Sequence, residues 1–593
     1  MIRRARESII FQPAREGFPS KYAFRVRFSH FSLSLTSPSG RKYITHVVKL
    51  GDSSVGAGIR GVMEKRLIMK KQASIIRILV FISFLASCTS QSGKIDRSES
   101  KKMVYEATWE SLKNHSTPQW LRDGKFGIYT HWGVYSYSAT RGNATWNAYS
   151  VYTDPNSEEA KDFYEKHGKL TPEFGYKDLI PKFTAEKFDA EEWADLFARS
   201  GAKFAGPVAE HHDGFAMWDT KYSEWNAAKM GPKRDVVGEL EKAIKAKNMK
   251  FVTAFHHVHH WDYFPVWDST KDCNNPKYSG LYGHVHKEGE IRSEEFLDEW
   301  YGKLIEVVDK YDPDFIWFDA RLHRMREDYV KNFVAYYYNK AAESGKEVII
   351  SYKDRDLPPG VGLLDHELGV EPDLTYYDWI TDSSIDDNMA WGYYDGLQYK
   401  SVDRLVDNLV DIVSKNGYLL LNVGPKWDGT IPEGAKKALL GMGKWLDING
   451  EAIYGTTSWS KYGEGPTLIK LSAKGEVAIN ESADIVFTNK DIRFTVKGDT
   501  LYAIVLAWPE GDVMIRSLAC CRSGSKFFPG FYIYPEEIAS VTMLGVNQEL
   551  EWELVEGEGL KISPPKTKPC EHAYTFKIVR KHKGHDQMIK MKD

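Results

Sequence analysis

Cysteine is scarce in this chain of 593 residues, which has only five: Cys88, Cys273, Cys520, Cys521 and Cys570. Five scattered cysteines are too few for a disulfide framework, and none of their spacings gives a CxxC metal motif. The adjacent pair Cys520–Cys521 could form a vicinal disulfide, but two ordinary thiols are the expected state. Cysteine chemistry is therefore not where the function is to be sought.

The chain also has little net charge. Its formal charge is −3, from 79 basic and 82 acidic residues, and it contains no long run of one sign. Binding to nucleic acid or to an acidic polymer by bulk electrostatics is therefore not expected. Aromatic residues are abundant, with 18 Trp, 33 Tyr and 28 Phe. Aromatic rings pack on the C–H faces of neutral sugars, so the composition is compatible with a carbohydrate ligand.

No apolar run is long enough for a membrane span of ~20 residues. A short apolar stretch at 78–85 follows Met69-Lys-Lys and leads into Leu85-Ala86-Ser87-Cys88. This resembles a bacterial lipoprotein signal peptide at 69–88, whose cleavage would leave Cys88 lipidated. We then expect a protein exported to the periplasm or cell surface, touching the membrane only through that lipid. Residues 1–68 are expected to be an over-extended start, with Met69 the true one; the alternative is a flexible leader that is translated and removed.

The rest of the chain divides by pattern. A polar linker at 89–104 precedes a region, 105–455, in which β-branched runs alternate with amphipathic helical stretches, as in parallel α/β proteins. Helices are predicted from Asp189, a capping-box start, to Ser200-Gly201, and over 235–247 and 293–311. Short strands and turns at 456–580 predict a small all-β sandwich domain. Residues 581–593 are expected to be a frayed tail. The number of chains that assemble is not indicated.

Polar clusters follow seven apolar runs in this region. The runs are 126–130, 203–209, 251–255, 314–318, 348–352, 363–364 and 418–421, and the clusters begin at His131, Glu210, His256, Asp319, Lys353, Asp365 and Asn422. Active sites of (β/α)8 barrels collect at the carboxyl ends of their strands. The fold class is therefore predicted as α/β, an irregular (β/α)8 TIM-like barrel, irregular because 363–379 leaves too little chain for a helix.

Two carboxylates at neighbouring strand ends suggest glycosidic chemistry. Retaining glycosidases need two carboxyl groups about 5–5.5 Å apart, one attacking the anomeric carbon and the other moving the proton. Asp319 follows the run Phe315–Phe318 and fits the nucleophile, while Glu367 fits the acid/base. Asp365 is the alternative acid/base.

Several segments resemble glycoside hydrolase family 29, the α-L-fucosidases. They are Trp120-Leu-Arg-Asp-Gly-Lys-Phe-Gly-Ile-Tyr-Thr-His-Trp-Gly, Glu210-His-His-Asp-Gly-Phe-Ala-Met-Trp, Ser223-Glu-Trp-Asn, Gly231-Pro-Lys-Arg-Asp, Trp317-Phe-Asp319 and Asn422-Val-Gly-Pro. The resemblance is strong over 105–455 and weak over the C-terminal domain. It implies a retaining exo-glycosidase that hydrolyses terminal α-L-fucosides, without a cofactor, on a fucosylated oligosaccharide or glycoconjugate.

The resemblance also implies roles for single residues. It places the nucleophile on Asp319, a pocket wall on Trp317, and sugar-binding groups on the polar ends of the first two strands: His131, Trp132, His211 and His212. Arg355 matches an arginine that would hold the charge of Glu367. The alternative is a purely structural Glu367–Arg355 pair, with the acid elsewhere.

Some features depart from the family pattern. Where many members carry Glu-Trp-Tyr, this chain has Thr145-Trp146-Asn147, so an acidic sugar ligand is absent or supplied from elsewhere; a later Trp-Glu motif is Trp379-Ile380. An α-L-galactosidase with the same mechanism and a non-catalytic glycan-binding surface lipoprotein stay open as alternatives. The segment His256-His257-Val-His259-His260 could suggest a metal, but carboxylate chemistry needs none, so sugar contacts are preferred.

Overall fold

The computed structural model describes residues 32–36, 42–46, 105–468, 478–479, 485–519 and 537–581. The chain forms two compact units, Met1–Ser100 and Lys101–Asp593. In the first, strands β1 (Ser32–Thr36) and β2 (Lys42–His46) pair antiparallel. The predictions for the signal peptide with Cys88, the linker, the pair Cys520–Cys521 and the tail beyond Lys581 lie outside the described residues.

Eight parallel strands of the second unit close into a barrel, in the order β10-β11-β3-β4-β5-β6-β7-β8. The strands from β3 to β11, with β9 outside the barrel, are β3 Phe126–Thr130, β4 Phe204–Glu210, β5 Lys250–Phe255, β6 Phe315–Phe318, β7 Ile349–Lys353, β8 Leu363–Asp365, β9 Gly369–Val370, β10 Trp379–Ser384 and β11 Gly417–Val423. The predicted barrel is confirmed.

Helices surround the barrel. The α-helices are Trp109–Leu112, Gln119–Gly124, Tyr135–Ser138, Asn147–Thr153, Glu158–His167, Ala190–Arg199, Val236–Ala246, His260–Tyr263, Ser279–Tyr282, Glu294–Tyr311, Glu327–Ser344, Val402–Ser414 and Glu433–Asn449. Among the described residues, no helix combines the length and the apolar character needed to cross a membrane.

The three predicted helices are present, and each begins at a side-chain cap. Asp189 accepts hydrogen bonds from the backbone N–H groups of Glu191 and Glu192, Asp235 from Gly238, and Ser293 from Phe296. Such caps satisfy N–H groups that have no partner within the helix. The local sequence therefore fixes where these helices start.

The barrel is irregular where the sequence predicted it. No α-helix separates β8 from β10; instead β9 pairs antiparallel with β13 (Ala478–Ile479). Strand β10 was not predicted, because its sequence, Trp-Ile-Thr-Asp-Ser-Ser, is mostly polar although every residue is buried. Two apolar layers enclose the strands. Inside the barrel lie rings such as Tyr129, Phe204 and Trp317, and the outward residues pack against the helices.

The C-terminal region consists of two antiparallel sheets, of order β12-β14-β15-β20-β17 and β16-β19-β18. The strands are β12 Thr457–Glu464, β14 Ile492–Lys497, β15 Thr500–Val505, β16 Val513–Ile515, β17 Ile538–Met543, β18 Trp552–Val555, β19 Gly559–Ile562 and β20 Tyr574–Arg580. Phe494 and Phe576 of the larger sheet share one apolar cluster with Ile515 and Ile562 of the smaller sheet. Two sheets over a common core form a sandwich, as predicted.

Candidate active site

A pocket lies at the carboxyl ends of the barrel strands, where a (β/α)8 barrel carries its site. Its lining is polar and aromatic, and consists of His131, Asn143, Thr145, Trp146, His211, His212, His256, Trp317, Asp319, Lys353, Glu367, Asp382 and Trp391. Six of the eight predicted site residues belong to this lining. Trp132 and Arg355 do not.

Asp319 follows β6 directly, and its backbone N–H continues the strand pairing by donating to the carbonyl of Phe255 at 3.2 Å. Its side chain, 21% exposed, lies 3.4 Å from His212 Nε2 and from His256 Nδ1. Burial acts to raise the pKa of Asp319, but the Lys353 ammonium and the bonds from these two histidines outweigh it and hold that pKa well below its usual value. Asp319 is therefore a carboxylate ready to act as a nucleophile.

Lys353, at the end of β7, links three carboxylates. Its Nζ lies 3.2 Å from Asp319 Oδ1, 2.9 Å from Glu367 Oε2 and 3.4 Å from Asp382 Oδ2. Burial acts to lower the pKa of Lys353, but these carboxylates keep it well above its usual value. Because both carboxylates contact this one ammonium, the two oxygens that touch it, Asp319 Oδ1 and Glu367 Oε2, lie within about 6 Å of each other.

Glu367 sits in the loop after β8, and 47% of its side chain is exposed. It lines the pocket and also a wide groove that opens beside it. A carboxyl group at this junction can reach the oxygen that joins a bound sugar to the rest of a glycan.

Asp365 is buried at the end of β8 and does not belong to the pocket lining. Its oxygens accept hydrogen bonds from Trp317 Nε1 at 2.9 Å and from the backbone N–H of Asp382 at 3.0 Å. Burial, and the adjacent Asp382 carboxylate, keep the pKa of Asp365 well above its usual value. Its contacts make it a fixed acid that orients Trp317, and favour Glu367 as the proton donor.

Asp382 contributes a carboxylate that the sequence did not predict. Its Oδ2 accepts a hydrogen bond from Tyr129 at 2.9 Å, and its buried Oδ1 has no partner among the described residues. Burial raises the pKa of Asp382 to about 6, although Lys353 opposes this. The segment Thr145-Trp146-Asn147 supplies no carboxylate to the pocket, whereas Asp382 does.

Buried histidines form the floor of the pocket. His131 Nδ1 donates to Asn422 Oδ1 at 2.8 Å, and His212 Nδ1 donates to the carbonyl of His256 at 2.7 Å. Burial keeps the pKa of His131 and of His211 well below the usual value, and lowers that of His256 to about 4. Neutral imidazoles offer one donor and one acceptor each, as sugar hydroxyls require.

The ring nitrogens of the floor also lie close enough together to accept a metal ion. One ligand atom from each of His131, His211 and His256 falls within 4.8 Å of the others, and the same holds for His212, His256 and Asp319. Of the other histidines in the segment 256–260, His259 packs behind the pocket against Trp146 and His212. His257 contacts the buried Glu210, and His260 Nδ1 bonds to the carbonyl of His212. Only His256 of that segment therefore joins the pocket.

The prediction that Trp132 binds substrate is wrong. Its ring packs among Phe183, Phe188 and Trp193, and its Nε1 donates to the carbonyl of Lys426 at 2.7 Å. Successive residues at a strand end point to opposite faces, so His131 faces the pocket while Trp132 faces the helical layer.

The predicted role of Arg355 is also wrong. Arg355 is exposed in the turn after β7 and lines the outer groove. Lys353, the last residue of that strand, pairs with Glu367 instead. The polar cluster 353–355 was a correct signal for the strand end, but β7 ends at Lys353, and the turn that follows, with Asp354 at φ +55°, carries Arg355 away from the pocket.

Comparisons with known proteins match most of this chain. A family model described as Alpha-L-fucosidase matches residues 94–451, and one described as Alpha-L-fucosidase C-terminal domain matches 486–579. Tissue alpha-L-fucosidases of Rattus norvegicus and Homo sapiens are each 30% identical over 489 residues, covering 80% of this chain and 93% and 92% of those proteins. The crystal structure of Thermotoga maritima alpha-fucosidase in complex with fucose is 32% identical, with a TM-score of 0.63 over 80% of this chain and 100% of that one.

Proposed function

Because this chain belongs to the alpha-L-fucosidase family, we propose that it removes terminal α-L-fucose from fucosylated oligosaccharides or glycoconjugates with retention of anomeric configuration. Asp319 is the nucleophile, and Glu367 is the acid/base. The observation that carries this assignment is the common contact of both carboxylates with Lys353, which brings their nearest oxygens within about 6 Å of each other.

The reaction takes two steps. In the first, Asp319 attacks the anomeric carbon and the bond to the leaving oxygen breaks, while Glu367 donates its proton to that oxygen. In the second, Glu367 takes a proton from water, and the water oxygen displaces Asp319 and releases fucose.

Lys353 acts as the positioning residue of both steps. In the free enzyme its charge keeps Asp319 ionised. Its second contact, 2.9 Å from Glu367 Oε2, holds that carboxyl group beside Asp319 in both steps.

The pocket floor recognises the sugar. His131, His211 and His256 supply neutral donors and acceptors for hydroxyls. Asp382 supplies a charged acceptor, and His212, Trp317 and Trp391 complete the walls. In this assignment Asp382 replaces the acidic residue missing at Thr145-Trp146-Asn147.

The sequence at 69–88 supports a location in the periplasm or at the cell surface. The basic start at Met69, the apolar stretch and the Leu-Ala-Ser-Cys88 ending are typical of a bacterial lipoprotein that is cleaved and lipidated at Cys88. The enzyme would act in the periplasm or at the cell surface. Intact mass of the native protein tests this: a lipid-modified chain starting at Cys88 is expected, and a mature chain that retains residues 1–68 would contradict it.

Azide rescue tests the two catalytic roles. Asp319→Gly with azide should give β-L-fucosyl azide, because azide attacks in place of the carboxylate. Glu367→Ala with azide should give α-L-fucosyl azide, because azide intercepts the fucosyl-enzyme. Asp365→Asn is the matched control, in which an amide replaces a buried acid, and no azide product is expected from it. An α-azide product from Asp365→Asn and none from Glu367→Ala would move the acid/base to Asp365.

A further inference from the structure

Arg321 lies two residues beyond Asp319 in an uncommon backbone conformation. Its φ is +86°, in the left-handed region that side chains other than glycine rarely adopt. The half-buried guanidinium lies over the ring of Trp146, 5.7 Å from its centroid, and Trp146 lines the sugar pocket. Backbone strain of this kind persists where surroundings fix it, and it concentrates at functional sites.

Two further arginines lie nearby and share one carboxylate. Arg292 and Arg324 approach Asp262 Oδ2 at 3.0 and 3.2 Å, whereas Arg321 forms no ion pair with any residue that the structure describes. Burial lowers the pKa of Arg292, and the charges of Arg324 and Arg321 lower it further, although Asp262 opposes them. The arginine cluster, Arg292, Arg321 and Arg324, thus has two more positive charges than its one carboxylate balances.

Buried donors beside this cluster have no partner. Among the described residues, neither ring nitrogen of His259 is hydrogen-bonded, nor is Arg292 Nε. His259 is only 7% exposed, and its ring centroid lies 5.0 Å from that of Trp146. Burial, with the charges of His212 and Arg321, lowers the pKa of His259 to about 2, so the ring is neutral and can donate one N–H. Buried donors normally have a hydrogen-bond acceptor, so these groups are expected to bind one.

The arginine cluster lies beside the sugar pocket, because Trp146, over which Arg321 packs, belongs to the pocket lining. Ala320 and Leu322, on either side of Arg321, line the wide groove that begins at Lys353 and Glu367. The groove has a volume of about 1580 Å³, enough for several sugar rings. A glycan joined to fucose through the oxygen that Glu367 protonates would extend into it.

We propose that the arginine cluster binds an anionic substituent, a sulfate ester or a carboxylate, on the glycan from which fucose is removed. This inference rests on the proposed function and names the substrate class of the same site. Guanidinium groups pair with such oxyanions through two parallel hydrogen bonds. The free guanidinium of Arg321 and the N–H of His259 supply donors, and the unbalanced charge supplies the attraction.

The experiment compares two pairs of substrates. The first pair is 4-carboxyphenyl α-L-fucoside and its methyl ester, which differ in the charge of the leaving group. The second is 4-nitrophenyl α-L-fucoside with and without one sulfate ester on the fucose ring. The readout is the ratio of kcat/KM within each pair, for the wild type, Arg321→Met, Arg324→Met and Arg199→Met. Arg199 is the matched control, since it is exposed and pairs with Asp195 on an outer helix.

In the first pair, the wild-type and Arg199→Met ratios should exceed that of Arg321→Met about ten- to hundredfold, the worth of hydrogen bonds to a charged group. Raising the salt concentration should reduce the wild-type ratio. Equal ratios in the wild type, Arg321→Met and Arg324→Met, or a salt-independent wild-type ratio, would overturn the proposal. An Arg321-dependent preference confined to the sulfated fucose would overturn the placement on the leaving glycan. Failure of the wild type to hydrolyse the methyl ester would instead overturn the proposed function.

Discussion

Replacing Lys353 by methionine removes the one cation that, among the residues the structure describes, contacts both proposed catalytic carboxylates. Methionine has nearly the same length, so the side chain can still fill the space over Trp317, whose ring centroid lies 4.6 Å from the ammonium. What is lost is the charge at 3.2 Å from Asp319. The variant therefore tests electrostatics with little change in packing.

The size of the effect follows from the contact distance. An opposite charge at this range lowers the pKa of a carboxyl group by about one to three units, which corresponds to ~1.4–4 kcal/mol. Burial alone acts to raise the pKa of Asp319. Without Lys353 that influence is opposed only by His212 and His256, so the pKa of Asp319 should rise by about one to three units.

The assay is the pH profile of kcat at saturating aryl α-L-fucoside, so that the KM effect expected from Asp382 does not enter it. Asp319 must be ionised to attack, so the acid limb of the profile should move to higher pH by about one to three units in Lys353→Met. Lys187→Met is the control, because Lys187 is exposed and pairs only with Asp428. An acid limb that stays in place in a folded Lys353→Met protein would refute the role given to this lysine.

Three other substitutions test the site assignments. Asp382→Asn should raise KM about tenfold, as expected for the loss of a charged hydrogen bond. In the wild type, KM should rise below about pH 6, where Asp382 becomes protonated, and this rise should be absent from the variant. A wild-type KM that stays constant between pH 4.5 and 8 would exclude Asp382 from sugar binding. Trp132→Ala should destabilise the fold by about 3–5 kcal/mol, read as a lower Tm, and a raised KM without loss of Tm would return this residue to the pocket. Arg355→Met should change kcat/KM on a neutral aryl fucoside by less than about fivefold, the effect of an exposed charge. A much larger loss would show that Arg355, and not Lys353, neutralises the charge of Glu367.

Much of the barrel could be predicted because local sequence determines it. Seven strands stood out as apolar runs, and three helices carried their own caps at Asp189, Asp235 and Ser293. Strand β10 could not be found in this way, since Thr381, Asp382, Ser383 and Ser384 are buried polar residues whose partners come from other strands. The polar character of a strand inside a barrel mouth is a tertiary property.

The site residues likewise fall into those that the sequence could predict and those that it could not. Position after a strand was enough to find Asp319, His131 and His211. Neither the direction of His131 and Trp132 at the end of β3 nor the turn that follows Lys353 was visible, so Trp132 and Arg355 were misplaced. Lys353 lay in a recognised polar cluster, but its three carboxylate contacts join β6, β7, β8 and β10, and no spacing along the chain encodes them.

The nucleophile assignment is tested most directly by trapping the fucosyl-enzyme with 2-deoxy-2-fluoro-α-L-fucosyl fluoride and sequencing tryptic peptides by mass spectrometry. Trypsin should release residues 311–321, Tyr-Asp-Pro-Asp-Phe-Ile-Trp-Phe-Asp-Ala-Arg. Our account predicts one fluorofucosyl group per chain, with fragment ions placing it on Asp319 rather than on Asp312 or Asp314, and none on Asp319→Gly. A label on the peptide that contains Asp365, Glu367 and Asp382, or release of the inverted sugar without any label, would contradict it.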